Sequence, residues 1–341
     1  MLPRHSQRAL WSSAICAIAT CISVTACGGG AHLIPQVAGA APMHSQRIWP
    51  NSSNTWLSGA HMPTKRIGPG AAVVGTKIYV VGGVNSLGVT NVNEIYDTTT
   101  NTWSTGAPMP TKRFAMGVAA INGIVYAIGG TDLTFNPFNT VEAYDPVSNT
   151  WSTKATLLTA EVDTGTAVDG GRIYAVGGFD SSLMRSNLVQ TYNPVTNVWR
   201  FARKLHVARS SPYVDAIGSD IVAAGGLANT GKTVADNEVY DPTTKVWTKM
   251  LNMPSARQDG CAAAIGGSLF AAGGVKKTAP LNILDAYDLS TNTWTALAPM
   301  LKGVIAPASA TVNGLLYCIG GGNGNLTSSG SFYNNVQIYT P

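Results

Sequence analysis

The chain has 341 residues, of which 45% are apolar and 11% charged, and its formal net charge is +5. So small a basic excess excludes a partner held by charge alone, nucleic acid above all, while the length and apolar content are ample for a sizeable core. Five cysteines are too few for a disulfide scaffold, and the histidines stand at no metal-ligand spacing with acids or thiols, so neither metal nor cofactor is expected.

Residues 1–26 read as an export signal. Arg4 and Arg8 precede an apolar stretch from Ala9 to Ala26 that is too short and too rich in Ser and Thr for a membrane span. Removing it lowers the net charge to about +3 and leaves Cys27, Cys261 and Cys318. Val24-Thr25-Ala26 ahead of Cys27, with Gly28 behind it, resembles the bacterial lipoprotein signal. That resemblance implies acylation of Cys27 and a lipid anchor at the cell envelope, with Gly28 favouring the outer membrane. Residues 27–50, rich in Gly, Ala, Pro and Gln, read as the acylated Cys and a flexible tether, and residues 51–341 as the structured domain.

Within that domain one pattern recurs. Tryptophans stand at 56, 103, 151, 199, 247 and 294, and twenty-six residues after each comes a Gly-Gly pair, at 82, 129, 177, 225, 273 and 320. Before each pair lies a short run rich in β-branched and aromatic residues, such as Lys77-Ile78-Tyr79-Val80-Val81, which predicts a strand. A preceding apolar run, Ala71 to Val74 in this repeat, is joined to it by a hairpin turn, Gly75-Thr76 here and Asn122-Gly123 or Asn313-Gly314 elsewhere. Val92 to Tyr96 gives a third strand and Thr102 to Thr105 a fourth, after an Asp97 to Asn101 turn. Each repeat is thus a four-stranded antiparallel sheet. The glycine pairs mark a close backbone approach, with the tryptophan as the expected neighbour. Cys318 stands where other repeats have Val80, Ala127, Ala175, Ala223 and Ala271; a small buried residue is the expectation, with a bridge to Cys261 as the alternative.

A Gly-Gly pair, then a Tyr, then a Trp seven residues beyond it, repeated at this period, resembles the kelch repeat. The resemblance implies an all-β, six-bladed propeller, a monomer with no bound cofactor. The sixth repeat ends at Tyr339-Thr340-Pro341 without a fourth strand, and Asn51 to Trp56 matches the missing piece. The N-terminal strand is therefore predicted to complete the last blade and remove an exposed edge.

Strand parity puts the short, repetitive turns on one face and the divergent loops on the other: Thr131 to Asn139 with Phe135 and Phe138, Phe179 to Asn187 with Arg185, Leu227 to Asn237, and Asn323 to Asn335 with Phe332 and Tyr333. Binding belongs on that second face. Ten residues after each Trp stand Arg66, Arg113, Glu161, Arg209, Arg257 and Val304, and two residues further Gly68, Ala115, Asp163, Ser211, Asp259 and Ala306. Alternation in an extended strand puts both sets on one side, a ring at the channel mouth with four arginines beside Glu161, Asp163 and Asp259. In animal kelch adaptors, arginines at a position resembling this one bind acidic peptides, which implies such a role for Arg66, Arg113, Arg209 and Arg257. An ion-pair network that merely lines the channel is the other reading.

Two functions follow from the resemblance. One is a binding module for a protein, peptide or glycan, anionic ligands included, at the channel mouth. The other is an isomerase resembling the bacterial kelch sialic-acid mutarotase (N-acetylneuraminate epimerase), in which Glu161 or Asp163 would shuttle a proton while an arginine holds the substrate carboxylate. The Tyr, His and Cys constellation of a copper oxidase is not present in the sequence.

Overall fold

The computed structural model describes residues 53–324 and 331–341; the stretches expected to be an export signal and a tether, with Cys27 between them, lie outside the described residues. Six four-stranded antiparallel sheets hold nearly all the strands, and no helix occurs among the described residues. The first blade comprises strands 70–74, 77–81, 93–97 and 102–106, and the next four repeat it with innermost strands starting at Gly117, Gly165, Tyr213 and Cys261. The sixth is built from both chain ends: Thr55–Gly59 pairs with Val336–Thr340, Trp56 opposite Tyr339. Innermost strands pack side by side around an axis, the first against the sixth as well as the second, so the ring is closed.

The core is a set of wedges between blades. In one, Ala72, Tyr79 and Val81 of the first blade meet Met116, Val118, Val125 and Tyr144 of the second. A sheet that is apolar on both faces cannot stand alone, and stacking covers both. The period-defining residues tie the outer rim. Each third-strand tyrosine lies against the tryptophan of its own blade, with ring centroids 5.0–5.2 Å apart. Each tryptophan Nε1 donates to a carbonyl of the preceding blade, as Trp103 does to Ala60 and Trp151 to Ala107, both at 2.8 Å. In five blades an asparagine with left-handed φ closes the last turn; Asn149 Oδ1 accepts from Tyr144 Oη and from the Ala107 amide, both at 2.7 Å. Lys245 takes that place in the fourth blade.

The neighbour of the glycine pairs is not tryptophan. The second glycine of every pair donates its N–H to the next blade at 2.8–3.0 Å, Gly83 to Arg113 O and so round to Gly321, which donates to Arg66 O. A Cβ on the first glycine would lie 2.4 Å from that same carbonyl at Gly82 and Gly177, and φ is positive at all these glycines. Only a residue without a side chain lets the two blades meet so closely. Cys318 likewise departs from the expectation of an isolated small residue: its Cα is 5.9 Å from that of Cys261, and the two form a disulfide between the fifth and sixth blades.

Candidate functional site

At the head of the innermost strands the backbone itself builds a collar. Gly68, Ala115, Asp163, Ser211, Asp259 and Ala306 all have φ between +49° and +65°. The N–H of each donates to the carbonyl of its counterpart in the preceding blade, Ala115 to Gly68 and onward until Gly68 donates to Ala306, over 2.8–3.4 Å. This closed circle of six hydrogen bonds surrounds the axis and uses up the backbone polar groups that face one another across it.

The left-handed turn also separates two sets of side chains that alternation had put on one side. The collar residues face the axis, whereas the four arginines two residues earlier run into the blades, each with 0% exposure. Arg66 is ion-paired with Glu94, Arg113 with Glu142 at 3.0 Å, Arg209 with Glu238 at 2.5 Å and Arg257 with Asp285 at 2.7 Å. Three of them also donate Nη2 to a second-strand carbonyl, Val80, Ala127 and Ala271, at 2.9–3.0 Å. Burial lowers the pKa of Arg66, Arg113 and Arg209, that of Arg113 to about 10, with the paired acid opposing. Arg66, Arg113, Arg209 and Arg257 are therefore not exposed at the mouth, where alternation had put them, and their charges are compensated inside the blades.

Glu161 occupies the arginine position of the third blade and is also closed in, 1% exposed. Gln190 replaces its acidic partner and turns away to the backbone of Leu158 and Thr159. Burial pushes the Glu161 pKa up to about 8, with Ser186 opposing and the Asp180 charge reinforcing it, and neither carboxyl oxygen has a well-formed hydrogen bond among the described residues.

Asp163 and Asp259 do reach the mouth. They share with Ser211 the floor of a pocket open to solvent above the collar, with a cavity volume of about 60 Å³. Phe114, Phe179, Leu227 and Ile305 are its apolar walls, and Arg185 enters from the loop of the third blade. Asn229 on the next blade fixes the Arg185 backbone, accepting its N–H at 2.7 Å and donating to its carbonyl at 3.2 Å. The Arg185 guanidinium lies 5.7 Å from the Phe179 ring centroid. Burial and then the Asp259 charge hold Asp163 well above the carboxylate range, with Arg185 and Ser211 opposing; burial pushes Asp259 up to about 6, with Ser211 opposing. Both carboxyls on the floor are therefore easier to protonate than a free aspartate.

Below the collar the channel continues between the innermost strands, lined by small side chains such as Ala71, Ala119, Thr166, Ala264 and Ser309, with the Asp215 carboxylate held by the amides of Ala216 and Ala264.

Sequence reasoning passed over two sets of residues. The acids opposite the arginines stand two residues before the repeat tyrosine, and the sequence shows the link: Glu94, Glu142, Glu238 and Asp285 occur in blades with arginine, Gln190 and Gln337 in the two without. Phe179 and Leu227 each follow a Gly-Gly pair and bridge back to the collar segment, so their place on the wall is a repeat position too. Arg185 had no such signal, because its placement depends on Asn229.

Five consecutive stretches, residues 65–110, 112–158, 162–206, 208–254 and 256–301, match the family profile described as Kelch motif. The sixth blade is split between the chain ends and offers no contiguous stretch to match. No curated protein matches the chain. Among solved structures, one described as "Structure of YjhT" superposes with a TM-score of 0.72 at 19% identity, over 82% of this chain and 96% of that one; at that identity the likeness carries the fold alone.

Proposed function

The chain belongs to the kelch-motif family, and from that premise we propose that it is a binding module whose protein, peptide or glycan ligand enters the pocket above the collar. The fold does not choose among functions; the pocket carries the reading. Its apolar walls end on a floor bearing Asp163, Ser211 and Asp259 with Arg185 at the side, and a concave apolar site with a few convergent polar groups is the usual form of a ligand site. Glycan and peptide arrays probed with wild type and with Arg185→Ala test it. Ligands bound by wild type should be lost or weakened at least about tenfold in the variant, with unchanged melting. Equal binding by both would place the ligand elsewhere.

A second reading is favoured by the two acids. A protonated carboxyl beside an ionised one is what interconversion of sugar anomers requires, one group giving a proton to the ring oxygen while the other takes the proton of the anomeric hydroxyl. Asp163 and Asp259 would act, with Arg185 holding a substrate carboxylate; Glu161 is too enclosed to share the step. NMR exchange between anomers of reducing sugar acids, accelerated by wild type and not by Asp163→Asn, would establish the enzyme.

The chain is further proposed to work at the bacterial cell envelope, held by acylated Cys27. The lipoprotein-like residues around Cys27 support that reading, and the Cys261–Cys318 bridge is in keeping with an oxidising compartment. Metabolic labelling with a fatty acid in wild type but not in Cys27→Ser is the expected result; equal labelling would refute the anchor.

A further inference from the structure

We infer that the ligand group seated against the collar is a hydrogen-bond-donating cation, an amine carried on an apolar or aromatic body. The inference rests on the reading of the mouth pocket as the ligand site and adds the chemistry of what it holds.

The starting point is an imbalance of acceptors over donors. The collar spends its backbone N–H and carbonyl groups on itself, so the floor speaks through side chains alone. Gly68, Ala115 and Ala306 offer nothing polar, which leaves the half formed by the third, fourth and fifth blades: Asp163, Ser211 and Asp259. Beside Asp259, Gln258 lines the same pocket at 4% exposure, and its Oε1 has no hydrogen-bond partner among the described residues. A buried acceptor left unmatched is unfavourable, and a donor that reaches it removes that penalty. Against these three acceptor groups the lining supplies one cation, Arg185, and the hydroxyl hydrogen of Ser211 serves one carboxylate at a time. Charge follows the same sense: ionising both acids would leave the floor one negative charge in excess, and an ammonium group seated there would favour that ionisation. Lys232, Lys276 and Lys277 are exposed on loop tips, where solvent and salt screen them.

A metal ion fits less well. Hard divalent cations ask for about six to eight oxygens, whereas two carboxylates and one amide oxygen are available, the collar carbonyls being engaged with one another. The walls suit an organic body instead: Phe114, Phe179, Leu227 and Ile305 rise around the floor, and a ring or aliphatic chain attached to the amine would lie against them.

Benzylamine, benzyl alcohol and benzoate share one ring and differ only in the head group, so titrating each into the full chain at neutral pH isolates the head. Benzylamine should bind at least about tenfold more tightly than either of the others. Asp163→Asn and Asp259→Asn, changes that a left-handed backbone accepts readily, should each cut that preference to about threefold or less. Equal affinity for the three probes, or tighter binding of benzoate, would overturn the amine inference and leave the pocket as the ligand site. If none of the three binds, both readings fall.

Discussion

Glu161 is a carboxyl enclosed where other blades enclose a guanidinium, and replacing it with Gln isolates what that exchange does to stability. In the folded protein its pKa is pushed up to about 8 from the ordinary 4.5, first by burial. A raised pKa means the folded state holds its proton more tightly than the unfolded chain. The sign follows: stability is full below the unfolded pKa, falls as pH rises past it, and stops falling above the folded pKa. Each unit of pH in that window removes about 1.4 kcal/mol, so from pH 4.5 to pH 7 the loss is about 3 kcal/mol. Gln keeps the shape and never ionises. Glu161→Gln should therefore match wild type near pH 4.5 and exceed it by about 3 kcal/mol at pH 7, or roughly 5 °C in melting midpoint for a domain of this size. Calorimetric melting of both proteins from pH 4.5 to 8 reads this directly, because Asp163, Asp215 and Asp259 titrate in both and cancel in the difference. Parallel curves across that range would refute the reasoning, since they would mean that Glu161 ionises as freely folded as unfolded.

Three further outcomes follow from the blade contacts. Arg113→Met strands Glu142 in the core and should cost about 3–5 kcal/mol, whereas adding Glu142→Gln should recover most of it, since Gln190 and Gln337 already serve blades without arginine; equal melting of the single and double variants would contradict this. Gly82→Ala puts a Cβ 2.4 Å from the Arg113 carbonyl and should cost several kcal/mol by forcing two blades apart, while Gly75→Ala, with nothing within 4 Å but φ of +63°, should cost only about 1–2 kcal/mol; similar losses measured by thermal melting would refute the close-contact account. Deleting the chain through Gly59 strips the outer strand from the sixth blade and should abolish the cooperative melting transition; a midpoint within a few degrees of the full chain would show that the strand is dispensable.

The period carried most of the fold. Trp, Gly-Gly and Tyr mark contacts that every blade repeats, so their spacing fixed the number of blades, the order of strands and the pairing of Trp56 with Tyr339. Parity likewise put the pocket on the face of the divergent loops. What failed was a local assumption. The arginines and the collar residues are two apart, and alternation holds only where the backbone is extended; at Asp163, with φ of +56°, it is not. A left-handed residue at an Ala or Ser position leaves little trace in composition, and Gly68 and the two aspartates, residue types that tolerate it, were the only hints. The disulfide was hidden for a different reason: Cys261 and Cys318 meet through blade packing, which sequence separation does not report.

The collar has a consequence for how such a molecule changes what it recognises. Its closure depends on main-chain atoms alone, so the six stations around the axis are interchangeable in everything except the side chain each displays. Read in order they spell Gly, Ala, Asp, Ser, Asp, Ala, and one letter can be rewritten without loosening the circle that presents the rest. The alphabet is restricted, since β-branched and bulky residues resist the left-handed turn while Gly, Asn and Asp accept it. Within that restriction, selectivity can drift one blade at a time under a constant architecture.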